Sequence, residues 1–505
     1  MSGSDLRTER ASATGEPAKP YDRWETIPWE DVERHVSRMQ ARIAKAAVDG
    51  RVEVARKEQR RLVRSYDARL LAVRAVTSSR GKRTPGVDGE LWATQSAKLN
   101  AARSLTQRGY RARPLRRVRI PKKGKRGQTR PLGIPTMRDR AMQALWAMAL
   151  DPVAEASADK HSYGFRRGRS AQDAGQRLFQ CLAQRTSAQY VLEGDIKGCF
   201  DHISHEWLMD NVPMDKRVLA QFLKAGFMEM GEWWETDEGA PQGGPISPIL
   251  ANIALDGMGR LLDERFMLTR RGTVNMTKAG RNKVHLVRYA DDFVVTAATP
   301  EVAEAAKAMV AEFLAVRGLE LSGEKTLITH VGKGFDFLGW NFRKYGGKLL
   351  VKPSKKSVQS FVRETHACIL RESGSMGAEE LIRSLIPKVR GFANYHRHTC
   401  ASETFDRIDH VMHCQLMRWA CRRHPGKHKG WVHERYFCTV GGNHYMFGTQ
   451  ELFLPHMSWQ HIVRHRILKA DANPYLDREY FEERKRVLRR KNSNSFRMPA
   501  AEVWR

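Results

Sequence analysis

The chain has 505 residues, of which 41% are hydrophobic, so it is long and apolar enough for about two to four domains and is not intrinsically disordered. Lys and Arg number 87 against 56 Asp and Glu, which gives a formal charge of +31. Such an excess predicts a polyanionic partner, usually nucleic acid, with a ribosome-like or membrane-surface protein as the alternative.

The seven cysteines include no C-x-x-C pair, and their odd number argues against a disulfide framework. Cys414, Cys421 and His424 are close in sequence, but their spacing matches no common zinc pattern. Residues 1–20 are polar and unlike a signal peptide, and no apolar stretch approaches the length of a membrane span. We therefore expect a cytoplasmic protein without a membrane partner.

In chain order, the composition of residues 1–22 predicts a disordered N-terminus. Apolar residues then recur at helical spacing, as in Val32, Val36 and Ile43, which predicts a helical N-terminal extension over residues 23–83. The turn cluster at residues 84–89 marks a boundary before a basic stretch that runs from residue 108 to residue 130.

Residues 84–345 combine helical patterns with short strands, the clearest at Tyr190–Leu192 and Leu286–Thr296. Residues 346–450 are helical again and rich in cations and aromatic rings. Residues 451–505 form a basic C-terminal segment that ends in a tail from Arg484 onward and could contact DNA.

Two segments carry acidic residues that are candidates for catalysis. Asp195 ends a short apolar strand, and Asp291 and Asp292 lie between apolar residues, as in a tight hairpin that lifts its tip carboxylates clear of a sheet. Nucleotide addition needs two Mg²⁺ ions about 3.5–4 Å apart, held by carboxylate oxygens. Asp195 and Asp291 are the predicted ligands, while Asp292 has a weaker case because neighbouring strand residues point to opposite faces. Ordinary turn chemistry is the alternative for an isolated Asp pair.

Further blocks follow one another in a recognisable order. They are TPGVDG (84–89), RPLGIPTMRDRAMQ (130–143), SYGFRRGRSAQDA (162–174), GDIKGCFDHI (194–203), APQGGPISPILANI (240–253), YADD (289–292), GLELSGEKT (318–326), GFDFLGW (334–340) and IPKVRGFANYHRH (386–398). In this order they resemble bacterial group II intron-encoded reverse transcriptases. The resemblance implies an α+β right-hand polymerase, with fingers and palm over residues 84–345 and an α-helical thumb and maturase domain over residues 346–450. It also implies catalysis by Asp195, Asp291 and Asp292 with two Mg²⁺ ions, and Ile196 is included with these three among the metal ligands.

The resemblance also implies a nucleotide site and a primer site. The residues expected to bind the dNTP are Lys122, Arg130, Phe200, Gln242, Gly243 and Lys325. The Phe200 ring would leave no room for a 2′-hydroxyl, although core packing is the alternative for a Phe. Ser247 and Pro248 are expected to open a helix over Ile249–Leu262. Phe337, Leu338, Gly339 and Trp340 resemble the primer grip, with plain apolar packing as the alternative.

The maturase block combines cations, hydrogen-bonding groups and rings, a mixture that suits structured RNA. The residues expected to bind group II intron RNA are Arg390, Asn394, Tyr395, His396 and Arg397, although the block also fits an amphipathic helix with a solvated basic face. No cysteine follows Cys438, so the Cys-rich H-N-H endonuclease of many relatives is expected to be absent, and a nascent strand at a replication fork would then supply the primer.

The partners implied are intron RNA, a DNA target and primer, and dNTPs; a homodimer is an open alternative. The leading hypothesis is a polymerase that also assists splicing and supports retrohoming, and two other hypotheses compete with it. One is an RNA-binding splicing cofactor whose polymerase module is vestigial, against which the full set of site residues argues. The other is a reverse transcriptase of a different bacterial lineage, against which residues 386–398 argue.

Overall fold

A computed structural model describes residues 21–121, 127, 129–240 and 243–493. Its N-terminal part is helical, as predicted for residues 23–83. The helices are α1 (Trp29–Val48), α2 (Val52–Arg64), α3 (Tyr66–Ser78) and α4 (Gln95–Ser104). Val32, Val36 and Ile43 are buried, so the predicted apolar stripe is the packed face of α1. Tyr21 stacks against Tyr66, so the predicted disorder is wrong for this residue; residues 1–20 lie outside the described residues.

The first sheet, called here the upstream sheet, has the order β2-β1-β4-β5. Its strands are β1 (Leu115–Pro121), β2 (Thr129–Ile134), β4 (Phe227–Glu229) and β5 (Glu232–Trp234). Helix α5 (Met137–Ser157) follows β2, and its N-cap Thr136 accepts a hydrogen bond from the Asp139 backbone nitrogen. Helices α1 and α3 pack on α5, so the N-terminal helices and α5 share one core.

The second sheet, called here the central sheet, has the order β6-β7-β3-β8 and is antiparallel throughout. Its strands are β3 (Tyr190–Asp195), β6 (His285–Tyr289), β7 (Asp292–Ala297) and β8 (Leu327–His330). Both predicted strand segments are therefore confirmed. Helix α6 (Ala171–Leu182) packs near β6, and helix α13 (Pro300–Ala315) packs against β3 and β7.

Short helices connect the two sheets. They are α7 (Cys199–His202), α8 (His205–Asn211), α9 (Lys216–Leu223), α10 (Ser247–Leu255), α11 (Met258–Phe266) and α12 (Met276–Asn282). The predicted single helix Ile249–Leu262 is wrong: the chain leaves the helix at Asp256, and Gly257 adopts a left-handed φ of 101° before α11 begins. The helix also begins at Ser247 itself, with Ile246 as the N-cap.

A third sheet, order β11-β10-β9, follows the central sheet in the chain. Its strands are β9 (Phe335–Phe337), β10 (Trp340–Tyr345) and β11 (Lys348–Pro353). Beyond it lies a helical region with its own apolar core. Its elements are α14 (Lys355–Ala367), α15 (Ala378–His396), α16 (Ser402–Arg423), α17 (Lys429–Tyr436) and the hairpin of β12 (Phe437–Val440) and β13 (Asn443–Phe447). Helix α18 (Arg478–Ser493) is the last described element. Among the described residues, no helix is both long and apolar enough to cross a membrane.

Candidate active site

The three predicted catalytic carboxylates meet at one end of the central sheet. Strand β3 ends at Asp195, and the antiparallel register sets Asp195 directly opposite Asp292, the first residue of β7. Tyr289 pairs with Asp292 across a two-residue turn of Ala290 and Asp291, so the predicted tight hairpin is confirmed. Directly paired residues of neighbouring strands point to the same face. The side chains of Asp195 and Asp292 therefore point to the same face, although Asp292 is the ligand with the weaker case from sequence.

The carboxylates form an anionic cluster. Asp292 is exposed as a whole residue, yet desolvation of its carboxyl, and then the charges of Asp291 and Asp195, raise its pKa to about 6. The ammonium of Lys325 lies 2.6 Å from Asp195 Oδ2 and is the positive charge in direct contact with that carboxylate. A predicted nucleotide ligand therefore lies beside a predicted metal ligand, from a segment 130 residues further along the chain.

The donor set fits a divalent cation. In the part of the chain that the structure describes, no three His, Cys, Asp or Glu side chains already enclose a metal position. Mg²⁺ rarely has an all-protein cage: it usually binds one or two carboxylates and completes its shell with substrate phosphates and water. The Asp oxygens are the hard donors that this requires. The Ile196 side chain is a buried hydrocarbon without a ligating atom, so the backbone carbonyl is the only metal ligand that this residue could offer.

The turn of Ala290 and Asp291, called here the catalytic turn for its predicted role, rests on a buried arginine that the sequence pattern did not reveal. Arg288 is fully buried, and its guanidinium donates to Asp256 Oδ1 at 2.5 Å, to Asn252 Oδ1 at 3.2 Å and to the Ala290 carbonyl at 3.2 Å. Burial raises the pKa of Asp256 to about 6, while the charge of Arg288 opposes that rise. Ala290, in the turn, has a left-handed φ of 57°. Arg288 thus ties this turn to the end of α10.

A second segment supports the same turn from the side. Residues 161–163 run along β6: the Tyr163 nitrogen donates to the Arg288 carbonyl at 2.9 Å, and the Arg288 nitrogen donates to the His161 carbonyl at 3.0 Å. Gly164 then lies directly under the turn, where a Cβ would overlap the Ala290 backbone nitrogen. Asn252 donates from Nδ2 to the Gly164 carbonyl at 3.0 Å. Only glycine allows this approach.

Phe200 lies on α7, just after the strand that ends at Asp195, and it is partly buried against the main core. Its ring meets the Phe165 ring edge to face, with the centroids 6.2 Å apart and the planes at 80°. Phe165 was not among the predicted site residues. Its exposed ring and its φ of 58° are conformational features that a sequence does not display.

The loop before α10 makes close backbone contacts with the upstream sheet and α5. Gly243 has a φ of 110°, and a Cβ there would lie 2.7 Å from the Gly133 carbonyl oxygen. A Cβ on Gly244 would overlap the Gln143 side chain. In the structure, both glycines thus allow close approach within the protein itself. Arg130 is exposed on β2 near Asp201; Lys122 and Gln242 lie outside the described residues.

The segment predicted as the primer grip is a two-residue turn between β9 and β10. Leu338 and Gly339 form the turn, with φ values of 50° and 81°. The flanking Phe337 and Trp340 are buried, so the alternative of plain apolar packing applies to these two residues. A groove of about 530 Å³ extends from Asp292 past Leu338 and Gly339 to Lys356 on α14. Lys356, which the sequence did not single out, acts electrostatically on the Asp292 carboxyl and lowers its pKa.

Two of the five predicted RNA-binding residues lie in a joint between the third sheet and α15. Tyr395 stacks on Trp340 with centroids 4.9 Å apart and donates to the Leu338 carbonyl at 2.8 Å. His396 is 1% exposed, and burial lowers its pKa to about 4. RNA contact by the His396 side chain is therefore wrong, because the ring has almost no surface to offer. Tyr395 is half-buried, with one ring face covered by Trp340.

The other three predicted RNA-binding residues keep accessible surface: Asn394 is exposed, and Arg390 and Arg397 are half-buried. Asn394 and Arg397 line a cavity of about 380 Å³ that His465 and Leu488 close from the C-terminal segment. This part of the block can still reach a ligand.

The C-terminal segment is not simply a basic tail. Arg484 on α18 is buried and forms an ion pair with Asp173, which also accepts from His465 Nε2 at 2.8 Å. Arg484 donates as well to the Gly168 carbonyl at 3.2 Å, and the Phe481 ring lies against Gly168. The prediction of a tail from Arg484 onward is therefore wrong up to Ser493, because this stretch is a helix docked on the 162–174 block. Residues 494–505 lie outside the described residues.

The chain matches three known protein families. Residues 120–342 match the family described as reverse transcriptase (RNA-dependent DNA polymerase), residues 24–105 match the N-terminal domain of reverse transcriptase, and residues 358–437 match the group II intron, maturase-specific domain.

Among curated proteins, Protein YkfC of Escherichia coli (strain K12) is 35% identical over 339 residues, covering 60% of this chain and 87% of YkfC. Group II intron-encoded protein LtrA of Lactococcus lactis subsp. cremoris is 27% identical over 474 residues, covering 77% of this chain and 78% of LtrA. A solved structure of telomerase from Candida albicans aligns over 64% of each chain with a TM-score of 0.37 and 12% identity, too weak a likeness to support an argument.

The α+β sheets and the helical region beyond them therefore correspond to the fingers, palm and thumb of a right-hand polymerase. The chain belongs to the group II intron-encoded reverse transcriptase and maturase family, and it is an RNA-directed DNA polymerase.

Proposed function

We propose that this enzyme copies RNA into DNA by two-metal phosphoryl transfer at Asp195, Asp291 and Asp292. The observation that carries the proposal is the register that places Asp195 opposite Asp292, beside the turn that holds Asp291. Two Mg²⁺ ions would neutralise charge on the attacking 3′-oxygen, the transferred phosphate and the leaving pyrophosphate. The Ile196 backbone carbonyl would complete the protein's donor set.

The incoming dNTP would bind between the palm and the fingers. Arg130, with Lys122, would contact the triphosphate as cationic groups. Gln242 and Gly243 would border the nucleotide from the loop before α10, and Phe200 would lie against its sugar. Lys325 is assigned to the leaving pyrophosphate, because its ammonium already lies within 2.6 Å of a catalytic carboxylate.

The primer would follow the groove from Asp292 to Lys356. The Leu338–Gly339 turn forms one wall of this groove, and Lys356 supplies a positive charge for the primer backbone. Phe337 and Trp340 would act from below, by holding the turn in position.

We further propose that the chain binds its intron RNA, assists splicing and supports retrohoming to a DNA target. Arg390, Asn394 and Arg397 are polar members of the maturase block that keep surface for RNA. The domains would be the N-terminal extension (23–83), the fingers and palm (84–345), the thumb and maturase domain (346–450) and the C-terminal segment (451–505), whose last helix docks on the palm side.

Primer extension on an RNA template with dNTPs and Mg²⁺ tests the polymerase site. Asp291→Ala should lower the rate about 100-fold or more, as expected when a preorganised charge-stabilising group is removed. Asp406→Ala, which changes an exposed carboxylate on α16, is the matched control and should extend normally. If the wild type made no DNA yet promoted splicing of its intron, the alternative of an RNA-binding cofactor would be correct.

A further inference from the structure

Phe165 has a backbone conformation that is unfavourable for a phenylalanine. Its φ of 58° lies in the left-handed region, where the Cβ of an L-residue crowds the following carbonyl oxygen. Its ring is also 55% exposed, so burial does not compensate for the strain. A strained, exposed aromatic residue beside an active site points to a role outside the fold's own stability.

The two neighbours of Phe165 leave its backbone little freedom. Gly164 lies under the catalytic turn, where a side chain would overlap Ala290. Arg166 is buried, and its guanidinium donates to Glu155 Oε2 at 2.8 Å, to the Asp159 carbonyl at 2.6 Å and to the Ser162 carbonyl at 2.9 Å. The anchors on both sides therefore hold Phe165 in the strained conformation.

The group that Phe165 touches is Phe200. Their rings meet edge to face, the arrangement that the quadrupole of an aromatic ring favours. Phe200 sits on α7, a helix of only four residues, and its backbone carbonyl accepts a hydrogen bond from the Ala240 nitrogen at 2.8 Å. With the backbone anchored, the remaining freedom of Phe200 is rotation of its side chain, and the adjoining Phe165 ring opposes that rotation.

We propose that Phe165 is a positioning residue for sugar selection: it holds the Phe200 ring where an incoming 2′-hydroxyl would collide with it. This inference rests on the proposed role of Phe200 in the nucleotide site. A ring free to turn would make room for the hydroxyl. Loss of Phe165 should therefore weaken the choice of dNTP over rNTP, beyond any general effect on rate.

The test is single-nucleotide incorporation on an RNA template with Mg²⁺, comparing kcat/KM for a dNTP and for the rNTP of the same base. Phe165→Ala should lower the dNTP preference about 2- to 10-fold, the range of one edge-to-face aromatic contact. Phe165→Tyr, which keeps the ring, should restore it. Phe179→Ala, which removes an exposed Phe on α6 that has no ring partner among the described residues, is the matched control and should keep the wild-type preference.

Two more variants separate the interpretations. Phe165→Gly removes the ring and relieves the left-handed strain, so it should fold at least as stably as Phe165→Ala and show the same loss of preference. Phe200→Ala should lose more preference than Phe165→Ala, and adding Phe165→Ala to it should cause no further loss.

Each contrary outcome has its own meaning. A wild type that makes no DNA would overturn the proposed function itself. A Phe200→Ala variant with unchanged preference would refute the proposed role of Phe200 in sugar selection, and this inference with it. If Phe200→Ala lost the preference but Phe165→Ala did not, or if the two losses were additive, positioning of Phe200 by Phe165 would be refuted; additivity would indicate that Phe165 contacts nucleotide or template directly.

Discussion

Replacement of Arg288 by Met tests whether the buried ion pair beneath the catalytic turn stabilises the palm. Arg288 is fully buried and the Asp256 side chain is 7% exposed, so the variant leaves a buried carboxylate without its ion-pair partner. Breaking such a pair costs about 3–5 kcal/mol of unfolding free energy. The matched control is Lys352→Met, which breaks an exposed ion pair with Glu403 and should cost at most about 1 kcal/mol.

The assay is urea denaturation of the metal-free protein at pH 7.5 and at pH 5. Without Arg288, the folded-state pKa of Asp256 should rise above its present value of about 6. When folding raises the pKa of a carboxyl group, the protein becomes less stable as the pH rises through that pKa. The loss of unfolding free energy caused by Arg288→Met should therefore be smaller at pH 5 than at pH 7.5. The double variant Arg288→Met/Asp256→Asn should regain part of the loss. Equal costs for Arg288→Met and Lys352→Met, or no recovery in the double variant, would refute this account.

Three further outcomes are expected. Asp292→Asn should stabilise the metal-free protein at pH 7.5 by about 1 kcal/mol after allowance for solvent screening, because folding raises the pKa of Asp292 from 3.8 to about 6. The gain should shrink as the pH falls below about 6 and vanish only below pH 3.8, and a loss of melting temperature at pH 7.5 would contradict it. Arg484→Met should leave the buried Asp173 short of a partner and raise the hydrogen-exchange rate of α18; unchanged exchange would show that the helix docks without this pair. His398 lies edge-on to Trp340, and burial lowers its pKa to about 3, so the protein should lose stability as the pH falls below about 6.5. His398→Gln should therefore flatten the dependence of the melting temperature on pH between 7.5 and 4.5. Parallel profiles for the variant and the wild type would exclude this contribution.

The elements of the palm were predictable because their signals are local. Short apolar runs ending at Asp195, or flanking Asp291 and Asp292, specify strands and a tight turn whatever the rest of the chain does. The apolar stripe of α1 is equally local, and it is the buried face that the spacing predicted. The roles of the individual site residues remain predictions until they are tested by substitution.

The features that escaped prediction depend on partners distant in sequence. Arg288 reads as a polar interruption in an apolar strand, and only the fold brings Asp256 and Asn252 to its guanidinium. Tyr395 and His396 have the composition of an RNA-binding block, but a ring looks the same in sequence whether it meets a base or Trp340.

The docking of α18 also bears on the order in which the chain is made. Asp173 belongs to a helix that leaves the ribosome about 300 residues before Arg484, the cation that neutralises it. A nascent chain could therefore form the central sheet while this carboxylate still lacks its main counter-charge. Synthesis of the last described helix would complete the support beneath the 162–174 block, and with it the segment that borders the catalytic turn. Premature termination before Arg484 would thus impair a site whose own residues had all been translated.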